Sequence, residues 1–359
     1  MNDAAAMGVA LGLARRALGT TAPNPPVGAV LVRDGRVIGE GWTRPPGGPH
    51  AEVVALADAR ARGEDPRGAT MVVTLEPCCH HGRTPPCTDA ILAAGIERVV
   101  VGVVDPYPPM RGKALELLRG AGVQVTLGVG EQDCSRVALG FRRVVEGGLP
   151  EVTLKVATSL DGKLATAAGE SQWITGEQAR ADVHRERAMH DAVLVGSGTV
   201  RSDDPALTCR VDGGRDPVPV VLDTELKIPA AARLLKSSRR AVIVCADDAP
   251  DRALDADVVR VPRAGEGVDL RAALRALGER GLHRVMVEGG GRVHRALLDA
   301  DVVDTVLVYV AGMVIPGGQS WLAGSPIARL ADAPRFGAPD ITALGDDVRL
   351  RYPIRRQEG

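Results

Sequence analysis

The stretch Thr74-Leu-Glu-Pro-Cys-Cys-His-His-Gly-Arg-Thr-Pro-Pro-Cys87 concentrates the metal-binding side chains of this chain. Three of the six cysteines and two of the seven histidines fall within it, and the triplet His50-Ala-Glu52 lies upstream. A catalytic zinc site needs three protein ligands, an open position for water, and an acid or base within reach. These two segments supply all the protein groups, so they predict a zinc enzyme built on this loop.

The composition limits what such an enzyme acts on. A chain of 359 residues is long enough for two domains, and a hydrophobic content of 45% is ample for two cores. The net charge of −1 and an aromatic content of 2% give no basic face and no stacking platform, so we expect a small-molecule substrate and no nucleic acid. No apolar run is long enough to span a membrane, so no membrane partner is expected. The N-terminus is typical of a helix and not of a secretory signal, so the cysteines are expected to be reduced and the protein cytoplasmic.

The first half of the chain alternates between helical segments and β-branched runs. This pattern predicts an α/β unit with a parallel or mixed sheet and helices on both faces. His50 and Glu52 fall in the first turn of one predicted helix. Asn24 lies in a stiff proline-rich loop before a buried strand, where it is either an ordinary turn residue or a substrate-binding amide.

His-x-Glu followed by Pro-Cys is the signature of zinc nucleobase deaminases, in which one His and two Cys hold the metal and the Glu shuttles protons. The third ligand is open on spacing alone. Cys78 could act with Cys79, His81 or Cys87, and the adjacent Cys79 is the poorest chelating partner. We favour Cys87 over His81 because Cys87 opens a predicted helix, where a thiolate is stabilised.

The second half, after a short Gly147–Pro150 linker, again alternates strands and helices. Glu288-Gly-Gly-Gly-Arg-Val-His294 is a strand-to-helix glycine loop, which suits a phosphate group. No G-x-G-x-x-G sequence opens a βαβ unit, so a standard Rossmann domain is not expected. By itself the glycine loop is weak support for nucleotide binding.

The motifs together resemble a known family, the bifunctional deaminase/reductases of riboflavin biosynthesis. The deaminase half is matched by His50–Glu52, Thr74–Cys78, His80–Cys87, Pro23–Pro25 and Val27-Gly28. The reductase half is matched by Lys155, Ser159–Gly162, Gly169–Trp173, Asp203–Thr208 and Glu288–Gly290. The resemblance implies a cytidine-deaminase-like α/β/α domain over residues 1–147, followed by a dihydrofolate-reductase-like α/β domain over residues 148–359.

The resemblance also implies two reactions. The first is zinc-dependent hydrolytic deamination of 2,5-diamino-6-(5-phosphoribosylamino)pyrimidin-4-one. The second is NADPH-dependent reduction of the ribosyl group to a ribityl chain. We expect a homo-oligomer, although no sequence feature sets its size. The alternative is an active deaminase joined to a degenerate, non-catalytic second domain.

Site residues follow from the resemblance position by position. The zinc ligands correspond to His50, Cys78 and Cys87, and the proton shuttle to Glu52. From their side-chain types, Asn24, His80 and Arg83 are candidate contacts to the ring or phosphate of the deaminase substrate, although the two loop residues could equally be solvated or shape the loop. NADPH contacts are implied for Ala157, Trp173, Thr199, Asp203, Thr224, Gly290, Gly291, Arg292, Val293, His294, Arg295 and Ala296. Contacts to the reductase substrate are implied for Ser171, Arg187, Leu207, Arg210 and Glu288, with the two arginines at its phosphate.

Lys155 and Asp203 are the candidate proton donors for the reduction. Their plainer alternative is a surface ion pair. Two positions depart from the family pattern: Cys79 stands where Ser is usual, and Tyr107 where Asn is usual. Two rival functions are a nucleic-acid-editing deaminase and an interaction protein with a purely structural zinc site. The charge balance opposes the first, and a structural site would not need Glu52.

Overall fold

The computed structural model describes residues 1–82, 84–324 and 326–354. The chain forms two compact units that divide after Gly148, and the second unit begins at Leu149. None of the helices in these described ranges combines the length and apolar character needed to cross a bilayer.

The first unit alternates helices and strands. Its helices are α1 (Asp3–Ala17), α2 (Ala51–Ala61), α3 (Cys87–Ala93), α4 (Lys113–Gly120), α5 (Glu131–Val137) and α6 (Leu139–Gly147). Its strands are β1 (Gly28–Arg33), β2 (Arg36–Trp42), β3 (Thr70–Leu75), β4 (Arg98–Val103) and β5 (Gln124–Leu127). They form one mixed sheet in the order β2-β1-β3-β4-β5, in which β3, β4 and β5 run parallel and β1 runs antiparallel to both neighbours.

The three central strands, β1, β3 and β4, are largely buried, because successive side chains point to opposite sides of the sheet and helices cover each side. In β3, Met71 and Val73 pack in the core shared with α2, α3 and α4, whereas Val72 packs in the core shared with α1 and α5. The sheet therefore has helices on both faces, as the alternating pattern predicts. It carries the loops after β3 and β4, which run along one edge.

The second unit is larger. Its strands are β6 (Glu151–Ser159), β7 (Lys163–Ala165), β8 (Ala192–Gly196), β9 (Val218–Leu222), β10 (Val242–Ala246), β11 (Asp257–Val261), β12 (Arg263–Ala264), β13 (Gly267–Val268), β14 (Arg284–Val287), β15 (Thr305–Ala311), β16 (Gln319–Ser320), β17 (Asp340–Leu344) and β18 (Asp347–Pro353). Its helices are α7 (Glu177–Ala188), α8 (Ser197–Asp203), α9 (Leu270–Glu279) and α10 (Gly291–Asp299).

Nine of these strands form one sheet in the order β11-β10-β9-β8-β14-β6-β15-β18-β17. The run from β11 to β15 is parallel, and β18 and β17 add an antiparallel edge. Parallel strands present their carboxyl ends at one edge of the sheet, where ligands of open α/β sheets bind. The segments that follow β6, β8, β9 and β14, including α8 and the start of α10, leave the sheet at that edge and carry most of the residues predicted for the reductase site.

Candidate active sites

Three elements of the first unit bring the predicted zinc ligands together. His50 is the N-cap residue of α2, Cys78 follows β3 in the loop, and Cys87 is the first residue of α3. Their ligand atoms all lie within 4.8 Å of one another. Nδ1 of His50 is 3.5 Å from the Cys78 Sγ and 3.3 Å from the Cys87 Sγ. One imidazole and two thiols at such separations fit a tetrahedral zinc ion with its fourth position open.

The two thiols differ in their surroundings. The pKa of Cys78 is lowered to about 4, chiefly by a hydrogen bond from the Cys87 side chain, with further help from His50. The backbone N–H of Cys87 also donates to the Cys78 sulfur at 3.3 Å. The hydrogen bond between the two thiol side chains, together with burial, raises the pKa of Cys87. A thiol that ionises readily beside a histidine is the donor chemistry that zinc requires.

Glu52 lies in the first turn of α2, and only 3% of its surface is exposed. Burial raises the pKa of its carboxyl group to about 7, and the neighbouring Cys78 adds to the shift. A carboxyl group with that pKa can both take up and release a proton at neutral pH. Its position beside the His50 and Cys87 cluster is the position that a proton shuttle needs.

The other residues predicted to meet the deaminase substrate are less enclosed. Asn24 is half-buried, and its backbone N–H donates to the Thr21 carbonyl oxygen at 2.8 Å, as in an ordinary turn. His80 and His81 are exposed, and His81 is not part of the metal cluster found among the described residues. The predicted contact Arg83 lies outside the described residues.

Glu76 is a residue of this loop whose role the sequence does not reveal. Its buried carboxylate accepts three backbone N–H groups: those of Asp105 at 3.0 Å, Gly112 at 2.9 Å and Ala114 at 3.0 Å. It thereby ties the end of β3 to the loop after β4 and to the start of α4. No local pattern could indicate this, because the three donors belong to a distant part of the chain. Tyr107 lies in the same loop and is exposed, and nothing in the structure explains Cys79.

In the second unit, strand register builds the centre of the predicted reductase site. Val287 of β14 pairs with Leu154 of β6 in a parallel register, which places the next residues, Glu288 and Lys155, side by side. The Lys155 Nζ lies 3.6 Å from a Glu288 carboxylate oxygen. Arg187 of α7 donates two hydrogen bonds to the same carboxylate, at 2.6 and 3.0 Å, and a third to the Thr208 carbonyl oxygen at 2.9 Å.

This cluster decides the charge state of its members. Burial alone would raise the pKa of Glu288, but the positive charges of Arg187 and Lys155 hold it at about 2. Burial lowers the pKa of Lys155 despite the neighbouring carboxylate. The alternative of a surface ion pair between Lys155 and Asp203 is wrong, since Lys155 pairs with Glu288 and its side chain is only 14% exposed.

The glycine loop lets α10 approach the sheet closely. A Cβ atom on Gly289 would lie 2.9 Å from the Val293 Cβ, and one on Gly196 would lie 2.9 Å from its Cγ2. Gly290 is the N-cap and offers no side chain to the first N–H groups of the helix. In addition, the Nε2 atom of His294 is buried and has no hydrogen-bond partner among the described residues. The uncapped N–H groups fit a bound phosphate group. The Nδ1 atom of His294 lies 3.1 Å from the Trp321 carbonyl oxygen and carries the proton of the neutral ring, so its orphaned Nε2 atom can accept a hydrogen bond from a hydroxyl or amide group of a cofactor.

The remaining residues predicted for this site lie in β6, in α8, in α10 and in the loops between the strands and helices of this unit. Asp203 ends α8 and is exposed, as are Arg210 and Trp173, whose ring lies 4.8 Å from the Arg180 guanidinium. The half-buried members are Ala157, Ser171, Thr199, Thr224, Gly290, Gly291, Val293 and Arg295; Leu207 is buried, and Arg292 and Ala296 are exposed. The carboxylate of Asp223 accepts the Ile228 N–H at 2.7 Å and is buried within its own turn.

Comparisons with known proteins agree with this division into two units. The model of the cytidine and deoxycytidylate deaminase zinc-binding region matches residues 1–103. The model of the RibD C-terminal domain matches residues 150–350. These matches confirm the predicted α/β architecture, with a cytidine-deaminase-like domain first and a reductase domain second.

Full-length relatives carry the same pair of domains. The riboflavin biosynthesis protein RibD of Escherichia coli is 39% identical and covers 98% of this chain and 99% of its own. RibD of Aquifex aeolicus is 41% identical, covering 96% and 97%. The crystal structure of a diaminohydroxyphosphoribosylaminopyrimidine deaminase/5-amino-6-(5-phosphoribosylamino)uracil reductase from Thermotoga maritima superposes with a TM-score of 0.90 at 37% identity, covering 98% and 99%. RibD of Acinetobacter baumannii gives a TM-score of 0.88 at 35% identity, covering 99% of both chains.

Proposed function

The chain belongs to the RibD family of bifunctional riboflavin-biosynthesis enzymes, and we propose that it deaminates 2,5-diamino-6-(5-phosphoribosylamino)pyrimidin-4-one and then reduces the ribosyl group of the product. It is a deaminase and a reductase in one chain. We assign the first reaction to residues 1–147 and the second to residues 148–359. The alternative of a degenerate second domain has no support, because the Lys155, Arg187 and Glu288 cluster is complete.

The observation that carries the deaminase assignment is the His50, Cys78 and Cys87 cluster beside a buried Glu52. These three side chains would hold zinc. Bound there, the metal supplies a water molecule of lowered pKa and polarises the reacting centre. A purely structural site would leave the buried carboxylate of Glu52 without a purpose, which argues against that rival.

Glu52 moves the protons of the reaction. Its carboxylate takes a proton from the attacking water and delivers it to the ring nitrogen, and it then moves the proton of the newly formed hydroxyl group to the departing amine. A carbon–oxygen bond forms at the ring carbon, the carbon–nitrogen bond breaks, and ammonia leaves. The pKa of about 7 that burial gives this carboxyl group suits transfer in both directions.

The reductase assignment rests on the cluster at the carboxyl edge of the second sheet. The loop Gly290–Ala296, with Ala157, Trp173, Thr199, Asp203 and Thr224, would hold NADPH, which supplies the hydride when bound. Ser171, Leu207, Arg210 and the Arg187–Glu288 pair would position the ribosyl substrate. Asp223 gives no indication of NADH over NADPH, because the rule that a carboxylate at a strand end binds the ribose applies to Rossmann domains, and this carboxylate is engaged in its own turn.

Lys155 is the better placed of the two candidate proton donors. It is buried, it lies against Glu288, and burial lowers its pKa, which eases the release of a proton to the opening sugar ring. Asp203 lies exposed at the end of α8 and suits a contact with the cofactor or sugar.

Two variants test the division of labour. The purified chain is given the diaminopyrimidinone phosphate with NADPH or NADH, and ammonia release and nicotinamide oxidation are followed together. Glu52→Gln should lower ammonia release by roughly 10²- to 10⁴-fold while zinc remains bound. Asp203→Asn should suppress NADPH oxidation and leave ammonia release intact. Unchanged ammonia release in Glu52→Gln, or an equal loss of both signals in a folded Asp203→Asn, would contradict the assignment.

We further propose a cytoplasmic homo-oligomer. All six cysteines lie in the described residues and are free thiols, which suits a reducing compartment. Light scattering of the purified chain tests the oligomer: the mass of a single chain would exclude it.

A further inference from the structure

The imidazole ring of His50 has a polar neighbour on each side. Its Nδ1 atom faces the two thiols, at 3.5 and 3.3 Å. Its Nε2 atom lies 3.4 Å from the hydroxyl oxygen of Thr84. A histidine that binds metal through Nδ1 carries its proton on Nε2, so the ring presents an N–H group to the threonine.

Thr84 reaches this position because the loop between the two cysteines is long. The base of the loop is closed by the Thr88 N–H, which donates to the Cys78 carbonyl oxygen at 3.1 Å, and by the contact of the Cys87 N–H with the Cys78 sulfur. Near its tip, the Gly82 N–H donates to the Thr84 carbonyl oxygen at 3.2 Å. Thr84 is thereby held on the Nε2 side of the imidazole ring, and Pro85 and Pro86 lead the chain back to α3.

We propose that Thr84 is a positioning residue of the zinc site, whose hydroxyl oxygen accepts the Nε2–H of His50 and fixes the orientation and tautomer of that ring. Metal-binding histidines are usually held in this way by an oxygen on their other nitrogen. A threonine suits the role because its β-branched side chain has few rotamers, which keeps the oxygen in place. The inference rests on the proposed zinc site. It gives the long spacing between Cys78 and Cys87 a structural purpose.

Zinc affinity tests this directly. The full-length chain is stripped of metal, and its zinc dissociation constant is measured by competition with a chromophoric chelator at pH 7.5. Thr84→Val keeps the shape of the side chain and removes the acceptor, so it should weaken zinc binding by about 10- to 100-fold. Thr84→Ser restores the hydroxyl and should recover most of the affinity.

Thr88→Val is the matched control. The Thr88 hydroxyl is buried close to the same site, and within the described chain it has no hydrogen-bond partner. The same chemical change should therefore leave zinc affinity unaltered. Thermal unfolding of each variant identifies any that fails to fold. In addition, proton–nitrogen correlation spectra of the histidine rings should show a slowly exchanging Nε2–H on His50 that is lost in Thr84→Val.

The outcomes separate two kinds of failure. If Thr84→Val binds zinc as tightly as the unaltered chain, or if Thr84→Ser is as weak as Thr84→Val, the role of Thr84 is wrong while the zinc site stands. If the unaltered chain binds no zinc, or binds it equally well after Cys78→Ser, the proposed site itself fails.

Discussion

At the scale of single residues, Glu288 connects the two cations of the reductase site. Its carboxylate accepts two hydrogen bonds from Arg187 and lies 3.6 Å from the Lys155 Nζ, and its side chain is only 10% exposed. A buried ion pair adds little net stability, because its attraction is offset by the cost of removing both charges from water. Removing only one partner is strongly destabilising, since the other charge is then left buried and unpaired.

Glu288→Gln should therefore abolish NADPH oxidation and lower the free energy of unfolding of the second unit by about 3–5 kcal/mol. Ammonia release should persist, since the first unit holds its own catalytic groups. Denaturant unfolding and the coupled assay measure the two effects.

Glu151→Gln is the matched control for this prediction. Glu151 pairs with Arg284 at 3.0 Å, joining the same two strands, β6 and β14, at the opposite end of their contact. The Glu151→Gln variant should lose a comparable free energy of unfolding and keep its reductase activity. If both variants lost NADPH oxidation equally below their unfolding midpoints, the role of Glu288 in the site would be wrong.

At the scale of elements, α1 packs on β1 with almost no gap. A Cβ atom at Gly28 would lie 1.9 Å from the carbonyl oxygen of Ala10 and 2.6 Å from the Ala14 backbone nitrogen. Backbone atoms cannot move aside as a flexible side chain can. Glycine at the start of β1 is therefore what allows the helix to cover this face of the sheet, next to the loop that carries Asn24.

Gly28→Ala should destabilise the first unit by more than the 1–3 kcal/mol that overpacking usually costs. The control is Gly12→Ala in the middle of α1, where a Cβ would meet nothing within 4 Å. That change should instead stabilise the helix by about 0.5–1 kcal/mol. Unfolding midpoints of both variants decide the matter: a tolerated Gly28→Ala would show that α1 does not pack as described.

At the scale of the whole molecule, the second unit holds three buried neutral histidines. Burial lowers the pKa of His190 to about 3, and those of His283 and His294 to about 4, from an ordinary value of 6.5. Below pH 6.5 the unfolded chain takes up protons at these positions, whereas the folded chain does not. The free energy of unfolding is therefore not reduced by these histidines above pH 6.5, and it falls progressively as the pH is lowered toward 4.

The urea midpoint of the second unit should thus fall between pH 7 and pH 4.5. His190 tests the cause, because its Nδ1 bonds the Glu186 carbonyl oxygen at 2.7 Å and its Nε2 has no partner in the described residues. His190→Asn should reduce the slope of the free energy of unfolding against pH in this range, by an amount that corresponds to the uptake of up to one proton fewer on unfolding. An unchanged slope would assign the effect to other groups.

Much of the first site could be predicted from the sequence because its information is local. His50 and Glu52 share one helical turn, and Cys78 and Cys87 bracket one loop, so spacing and side-chain chemistry suffice to propose a zinc site. The glycine loop before α10 is likewise a local feature. The α/β order of both units follows from alternating apolar runs, whose period depends only on neighbouring residues.

Other features required the folded chain. The pairing of Lys155 with Glu288 follows from the register of β14 on β6, and the three N–H groups on Glu76 come from the loop after β4 and the start of α4, about 30 to 40 residues further along the chain. The contact of Thr84 with His50 depends on how one loop folds back. The sequence by itself determined the chemistry available, because side-chain type and local spacing are covalent properties. The tertiary structure alone decided which polar and charged side chains pair with one another, because strand order, register and loop path arise from the packing of the whole core.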